Sequence, residues 1–169
     1  MAVVNVKSTA VTNADATPVD LSSPYLSHGR LREAIGTVEV ANGDSSTSVY
    51  RLARVFSSWR ISEILESHDD IGTTTTGDVG LYEIAANGGD VADADLFASA
   101  VVFNAGAVTG ANITFESGVS GIEEIEKRIW ELLGLTEDPK KWYDLAVTLV
   151  GAADGAGTIT LQVRYVDGT

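Results

Sequence analysis

Residue types that support catalysis or metal binding are sparse in this sequence. The chain has two histidines, His28 and His68, and no cysteine. His68 precedes Asp69 and Asp70, a grouping that a metal site or a histidine–aspartate proton relay would use, but neighbouring residues in a loop do not by themselves define a site. Both histidines fall in segments with the composition of loops. These surroundings favour solvated loop residues over a reactive centre.

Oxygen-bearing side chains give one further metal candidate. The turn at residues 87–90 and the following Asp93 and Asp95 carry ligands of the kind that Ca²⁺ prefers, but they lack the alternating spacing and the distal glutamate of an EF-hand loop. The sequence also lacks the G-x-S-x-G, H-E-x-x-H and phosphate-binding G-x-x-x-x-G-K-[ST] motifs. We therefore predict no catalytic residue, no metal site and no cofactor, and hence no enzyme.

Three tryptophans offer a carbohydrate-binding alternative. Trp59, Trp130 and Trp142 could form a stacking platform for sugars on a β-sandwich, although packing in a core or an interface is the commoner role of tryptophan. Glutamate pairs such as Glu123 with Glu124 are the residue type that glycosidases use, but nothing in the spacing singles out one pair. A carbohydrate-binding β-sandwich module remains open as a function.

Composition limits the partners that this chain can have. Its 169 residues carry a net charge of −13, from 24 acidic and 11 basic residues, which disfavours binding to nucleic acid. No run approaches the roughly 18 apolar residues needed to cross a bilayer, and no basic region leads into an apolar core at the N-terminus. We expect one domain that binds neither membrane nor nucleic acid, while the absence of cysteine suits synthesis in a reducing cytosol.

Residues 36–84 organise the predicted fold. Short apolar-rich runs alternate there with loops of Gly, Asp, Ser and Thr, which is typical of an antiparallel β-sandwich or barrel. Residues 59–66 fit either a helix or a strand with a bulge, and the strand-like runs on both sides favour the strand. Residues 49–56 predict a strand that is apolar on both faces, with Arg51 and Arg54 on opposite sides. Such a strand is expected at a subunit contact or at the rim of the sheet, and the alternative is that both arginines simply extend to solvent.

The remaining pattern predicts two helices and a hairpin. Residues 93–100 read as a short helix, and residues 121–133 as a longer one that Ser120 caps and Gly134 ends. Residues 143–149 and 159–165 alternate in polarity and predict an antiparallel hairpin over one core. The fold class is thus mainly β: an antiparallel β-sandwich or jelly-roll-like domain with one clear and one short α-helix, and an extended N-terminal arm.

The arm is predicted over residues 1–35, and the sandwich domain over residues 36–169. Residues before prolines favour extended conformations, and the arm contains two prolines. It also carries apolar side chains that a disordered tail tends to lack, so we expect it to dock on its own domain or on a neighbour. The residues predicted to bind a partner are Leu21, Tyr25, Leu26, Arg51 and Arg54.

Several runs taken together resemble a known class of proteins. They are RLARV (51–55), RISEI (60–64), GDVGLYE (77–83), DADLFASA (93–100), KRIWELLGL (127–135), DP (138–139), YDLA (143–146) and GTITL (157–161). In this order they resemble small virion structural proteins of tailed bacteriophages, of the head decoration (cement) type, over about residues 37–166.

The resemblance implies a specific function. Proteins of this type are β-sandwiches or jelly rolls that bind the outer capsid shell, commonly as homotrimers, and clamp neighbouring capsomers. We therefore expect a non-enzymatic capsid decoration protein whose partners are the major capsid protein and itself. Its location would be the capsid surface of the virion, after synthesis in the host cytoplasm. A tail, neck or head–tail connector component of the virion is the alternative.

Overall fold

The computed structural model describes residues 4–104, 106–115 and 120–167, so the first three residues of the predicted arm lie outside it. The strands are β1 Leu31–Val40, β2 Val49–Phe56, β3 Arg60–His68, β4 Thr76–Glu83, β5 Val91–Val102, β6 Val108–Asn112, β7 Trp142–Leu149 and β8 Gly157–Val166. Two short α-helices, α1 Thr9–Ala14 and α2 Ile129–Leu132, and two 3-10 turns, Ala85–Asn87 and Ile122–Glu124, accompany them. No helix in these described ranges is long and apolar enough to cross a membrane.

The strands form two four-stranded antiparallel sheets that pack face to face. Sheet 1 has the order β1-β8-β3-β6, and sheet 2 has the order β2-β7-β4-β5. The chain pairs like one long hairpin that is wound across the two sheets: β1 pairs with β8, β2 with β7, β3 with β6 and β4 with β5. This is the jelly-roll arrangement, and it confirms the predicted β-sandwich.

The core lies between the sheets and takes alternate residues from both inner faces. Its largest fully buried side chains are Tyr143, Phe97, Phe103, Ile64, Ile71, Leu81, Leu96, Ile129, Leu145, Leu149, Ile159 and Leu161. At one side of the sandwich β1 approaches β2 closely, and a Cβ at Gly36 would lie 1.8 Å from the carbonyl oxygen of Leu52. Only glycine permits that approach of the two edge strands.

The predicted C-terminal hairpin is wrong. β7 and β8 do not pair; they lie in opposite sheets and face each other across the core. Their alternation of apolar and polar residues fits either arrangement, because both place one apolar face inward. What decides between them is pairing with distant strands, since β7 lies between β2 and β4 while β8 lies between β1 and β3.

The short helix predicted at residues 93–100 is also wrong, because this segment belongs to β5. Leu81 pairs with Asp93 and Val79 pairs with Ala98. Between these two pairs β4 advances by two residues and β5 by five. This wide bulge folds over β4, where a Cβ at Gly80 would lie 2.1 Å from the carbonyl oxygen of Asp93. Because of the bulge, apolar and polar residues do not alternate in this segment, and the sequence therefore resembles that of a helix.

The helix predicted at residues 121–133 is broken into a 3-10 turn and the four-residue α2. The backbone at Arg128 is extended (φ −84°, ψ 164°), and the next two N–H groups, of Ile129 and Trp130, donate to the carbonyls of Trp59 and Ser57. Bonds to the β2–β3 connection thus replace the middle of the predicted helix. The predicted end at Gly134 is confirmed, with φ at +68°.

The connections gather at two opposite ends of the sandwich. The loop end consists of residues 41–48, 69–75, 103–104, 106–107 and 150–156. Backbone bonds tie these loops to one another: Gly43 N–H donates to Ala153 O at 2.9 Å, and Gly155 N–H donates to Ile71 O at 3.0 Å. Asp154 joins them further, because its carboxylate accepts from the Thr73 N–H and hydroxyl at 2.6 and 2.7 Å.

The arm end consists of residues 4–30, 57–59, 84–90, 113–115 and 120–141. The arm was predicted to be extended, but it contains the helix α1. Its last five predicted residues belong to β1, which begins at Leu31. The long β6–β7 connection crosses this end, where Ser57 N–H donates to Lys141 O at 3.0 Å. Lys141 also forms an ion pair with Glu83 at the end of β4.

Candidate partner-binding surface

Tyr25 fixes the arm to the jelly roll. Its carbonyl accepts from Arg60 Nε at 2.8 Å, and its ring lies under the guanidinium of Arg128, with the guanidinium carbon 4.8 Å from the ring centroid. Beyond it the chain passes so close to the end of β8 that a Cβ at Gly29 would lie 2.4 Å from Val166 Cγ1. The arm therefore docks on its own domain, through a cation–π contact and a charge-assisted hydrogen bond.

Arg128 is held in place for this contact by Glu131. The carboxylate of Glu131 accepts from Arg128 Nε at 3.0 Å and from the Arg128 backbone N–H at 2.8 Å, so Glu131 also satisfies the free N–H at the start of α2. Hydrogen bonding to Glu131 raises the pKa of Arg128. The guanidinium is thus a fixed charge that lies between the arm and α2.

Two apolar residues of the arm stay open to solvent. Leu21 is 86% exposed and Leu26 is 40% exposed, and both line a shallow cavity of about 300 Å³ between the arm and the β6–β7 connection. Arg60, Ile125 and Glu126 line the same cavity. The arm thus covers the domain through Tyr25 and presents leucines outward.

Other large apolar side chains are exposed on the same end of the molecule. They are Leu31, Ile122, Ile125, Leu135 and Trp142. Ile122, at 78% exposure, and Ile125 lie in the segment predicted as one helix, and the break at Arg128 separates both from α2. Exposed apolar side chains grouped at one end of a domain mark an interaction surface.

The tryptophans do not form a flat sugar-binding platform. Trp59 stacks on Tyr165 with centroids 3.8 Å apart, and it meets Trp142 edge-on at 5.4 Å and 87°. Trp142 is also edge-on to Phe56, and Trp130 lies under Arg128 instead. Rings at right angles cannot offer one plane for stacking, whereas edge contacts of this kind stabilise a compact aromatic cluster.

Arg51 and Arg54 lie on the same face of sheet 2, so their predicted placement on opposite faces is wrong. The register shifts between Arg51 and Ala53, which leaves Leu52 as a bulged extra residue. Both arginines then reach Asp144 on β7, Arg51 through Nη1 at 3.0 Å and Arg54 through Nε at 2.9 Å. The side chain of Asp144 is only 10% exposed, so the two arginines neutralise a largely buried carboxylate.

The two arginines differ in what else they bind. Arg51 also donates to the carbonyls of Glu83 and Gly89, at 2.6 and 2.7 Å, and lies over the ring of Tyr82. Arg54 has a side chain that is 56% exposed and keeps its bond to Asp144 through Nε. Arg51 therefore stabilises the fold between β2 and the β4–β5 turn, whereas the outer edge of the Arg54 guanidinium faces solvent.

The predicted partner-binding residues thus form two groups. Leu21 and Leu26 line one cavity beside the anchor Tyr25, and the two arginines share Asp144; no described contact joins one group to the other. Little in the sequence indicated that Asp144 binds both arginines. In a strand where polar and apolar residues alternate, an aspartate at a polar position is expected to face solvent.

His68 was predicted to lie in a loop, and this is wrong. It is the last residue of β3, it is buried, and its Nδ1 lies 2.7 Å from Oε1 of Glu66. Glu66 and His68 are two residues apart, the spacing that puts strand residues on one face. Within the described parts of the chain, no three His, Asp or Glu side chains approach closely enough to hold a metal ion.

Comparison with known proteins shows one likeness of fold. No protein-family model matches the sequence, and no curated protein sequence matches it. Among solved structures the chain is similar to one described as "Cyanophage Pam1 capsid asymmetric unit", with a TM-score of 0.52, 16% sequence identity, and coverage of 90% of this chain and 96% of that chain. At this identity the likeness shows a shared fold. Because nearly all of each chain is covered, the two chains have similar lengths.

Proposed function

We propose that this protein is a non-enzymatic structural protein of a phage virion, a decoration or cement protein that binds the outer surface of the head and stabilises contacts between capsomers. The observation that carries the proposal is the fold similarity to a chain of a cyanophage capsid, which extends over nearly the whole of both chains.

The arm end is the surface proposed to meet the capsid. It brings together the exposed leucines of the docked arm, the isoleucines of the β6–β7 connection and Trp142. Arg54 supplies a partly open guanidinium on the neighbouring face of sheet 2. Trp142 and Arg54 belong to the residue types that are enriched among those dominating the binding energy of protein interfaces.

The charge of the chain supports a basic docking surface on the major capsid protein. At −13 the protein attracts a basic shell and approaches it faster than a neutral protein would. The same charge opposes association between copies unless their apolar surfaces meet, and for this reason a homotrimer would have to be built through the arm end or through interlocked arms.

The proposal is tested by the copy number of the chain in purified particles. Quantitative mass spectrometry should find hundreds of copies, near the occupancy of the major capsid protein. Tens of copies would place the chain in the tail, neck or connector, and its absence from particles would refute a virion role altogether.

Removal of residues 1–28 tests the role of the arm. The truncated protein retains β1 and all of the described core, so it should fold, with a melting temperature lowered by a few degrees through loss of the Tyr25 contacts. Its affinity for particles should fall at least tenfold. A truncated protein that binds normally would show that the arm is not a latch, and one that fails to fold would show that the arm belongs to the core.

A further inference from the structure

An ionisable pair inside the jelly roll has no part in the proposed binding surface. The side chains of Glu66 and His68 are each 1% exposed and are joined by the 2.7 Å contact between Oε1 and Nδ1. The imidazole meets Phe103 edge-on, with ring centroids 4.9 Å apart. No hydrogen-bond partner is described for its other nitrogen, Nε2, which is buried. The carboxylate is therefore the polar group that faces the ring.

The elements packed around the pair supply little compensating charge. The facing segments of β5, β6 and β8 carry no ionisable side chain: they are residues 100–103, 108–112 and 157–161. Asp78 on β4 points to the outer side of its sheet, where it accepts from Ala100 N–H at 2.8 Å. Asp69 and Glu39 lie at the exposed rim and accept from Thr158, so they add only negative charge nearby.

Burial makes the charge of this pair depend on one proton. With a carboxylate and a neutral imidazole the pair carries a net charge of −1 in the core. Protonation of the Glu66 carboxylate makes the pair neutral overall. A medium of low polarity penalises net charge far more than a neutral pair, so the folded protein holds this proton more tightly than the unfolded chain does.

We propose that the Glu66–His68 pair is a proton-dependent lock on the jelly-roll core, closed when the two side chains share one added proton and weakened when that proton is lost. An open cavity of about 250 Å³ between the ends of β5 and β6 reaches both side chains. Its walls include Val101, Val108 and Ile113. Water that enters along this route would solvate the deprotonated carboxylate, so the β5–β6 flank is where the core would loosen.

The direction of the effect follows from burial. Desolvation raises the pKa of the Glu66 carboxyl, against the opposing effect of the hydrogen bond from His68. A pKa that is raised by folding gives stability that is present at low pH and is lost as the pH rises through the folded value. This part of the stability is therefore lost as the pH rises above the ordinary glutamate pKa and through the folded one, which is the reverse of ordinary acid denaturation.

The substitution Glu66→Gln tests the lock, with Glu39→Gln as the matched control. Both remove one negative charge near the same end of sheet 1, but Glu39 is exposed. We expect the melting temperature of Glu66→Gln to exceed that of the wild type by about 3–8 °C at pH 9, with a gap that closes or reverses by pH 5. The gap for Glu39→Gln should stay within about 2 °C at every pH. A gap for Glu66→Gln that does not change with pH would overturn the proposal.

A measurement on the unmodified protein keeps the test independent of that variant. The chain has two histidines, so ring ¹⁵N signals can be assigned with one substitution, and the exposed His28 serves as an internal reference. Protonation of Glu66 changes the group that is hydrogen-bonded to the imidazole, so the lock requires the His68 ring signals to change as the melting temperature changes with pH. His68 signals that stay constant between pH 5 and 9 would refute it.

Discussion

The two ends of the sandwich differ in the kind of side chain that their connections present to solvent. At the loop end the connections bond to one another, through backbone pairs and through Asp154 with Thr73, so polar groups are satisfied within the chain. At the arm end the connections are long, and they leave isoleucines, leucines and a tryptophan in solvent. Bonds between connections close both ends, so what distinguishes the arm end is the number of apolar side chains that it exposes. The arm lies at that end, which is the candidate binding surface.

The largest expected effect is a loss of folding stability on substitution of Asp144, which should exceed the loss on substitution of its partner Arg54. Asp144→Asn leaves two arginines beside a neutral amide, and it should lower the free energy of unfolding by about 2–4 kcal/mol, since breaking a largely buried ion pair is costly. Arg54→Ala should cost at most about 1 kcal/mol, because that side chain is more than half exposed. Urea denaturation of both variants checks the contrast. Equal losses would mean that Arg54 is structural and not a binding residue.

A pair of matched substitutions compares the two ends directly. Ile122 and Val150 are both exposed apolar residues, at 78% and 52%, on the arm end and the loop end respectively. Ile122→Asp should weaken binding to particles more than tenfold, because the carboxylate would have to lose its water to enter an apolar contact. Val150→Asp should leave binding unchanged. Co-sedimentation with stripped particles measures both, and a loss confined to Val150→Asp would reverse the assignment of the ends.

The smallest expected effect is a local loosening of the loop end in acid. Hydrogen bonds from Thr73 lower the pKa of Asp154, so their contribution is present above the ordinary aspartate value and is lost as the pH falls below it. Exchange of the Thr73 amide, corrected for its intrinsic rate, should therefore speed up below about pH 4 while the arm end is unaffected. Unchanged exchange of this amide down to pH 3 would contradict the account of the loop end.

Much of the sandwich was predictable, because period-two alternation and turn residues are local signals. β3 and its bulge, the strand character of β2, β4, β7 and β8, and the stop at Gly134 all follow from short stretches of sequence. The errors have a common origin in pairing between distant strands. The bulge at Leu52, the wide bulge of β5 and the break at Arg128 are each stabilised by bonds to another element, which a local pattern does not contain.

The candidate surface was predictable only in part, for the same reason. The apolar content of the arm pointed to Leu21, Tyr25 and Leu26, whereas the role of Tyr25 as an anchor depends on two arginines far along the chain, Arg60 and Arg128. The exposure of Ile122 could not be predicted while its segment was expected to be helical. The binding of these residues to a partner stays a prediction.

Hydrogen–deuterium exchange of the free and the particle-bound protein tests the central claim most directly. If the arm end binds the capsid, amides of residues 4–30, 57–59 and 120–141 should gain protection on particles, while residues 41–48 and 150–156 exchange at their free rates. Protection confined to the loop end, or no change at either end on particles that carry the protein, would contradict the account.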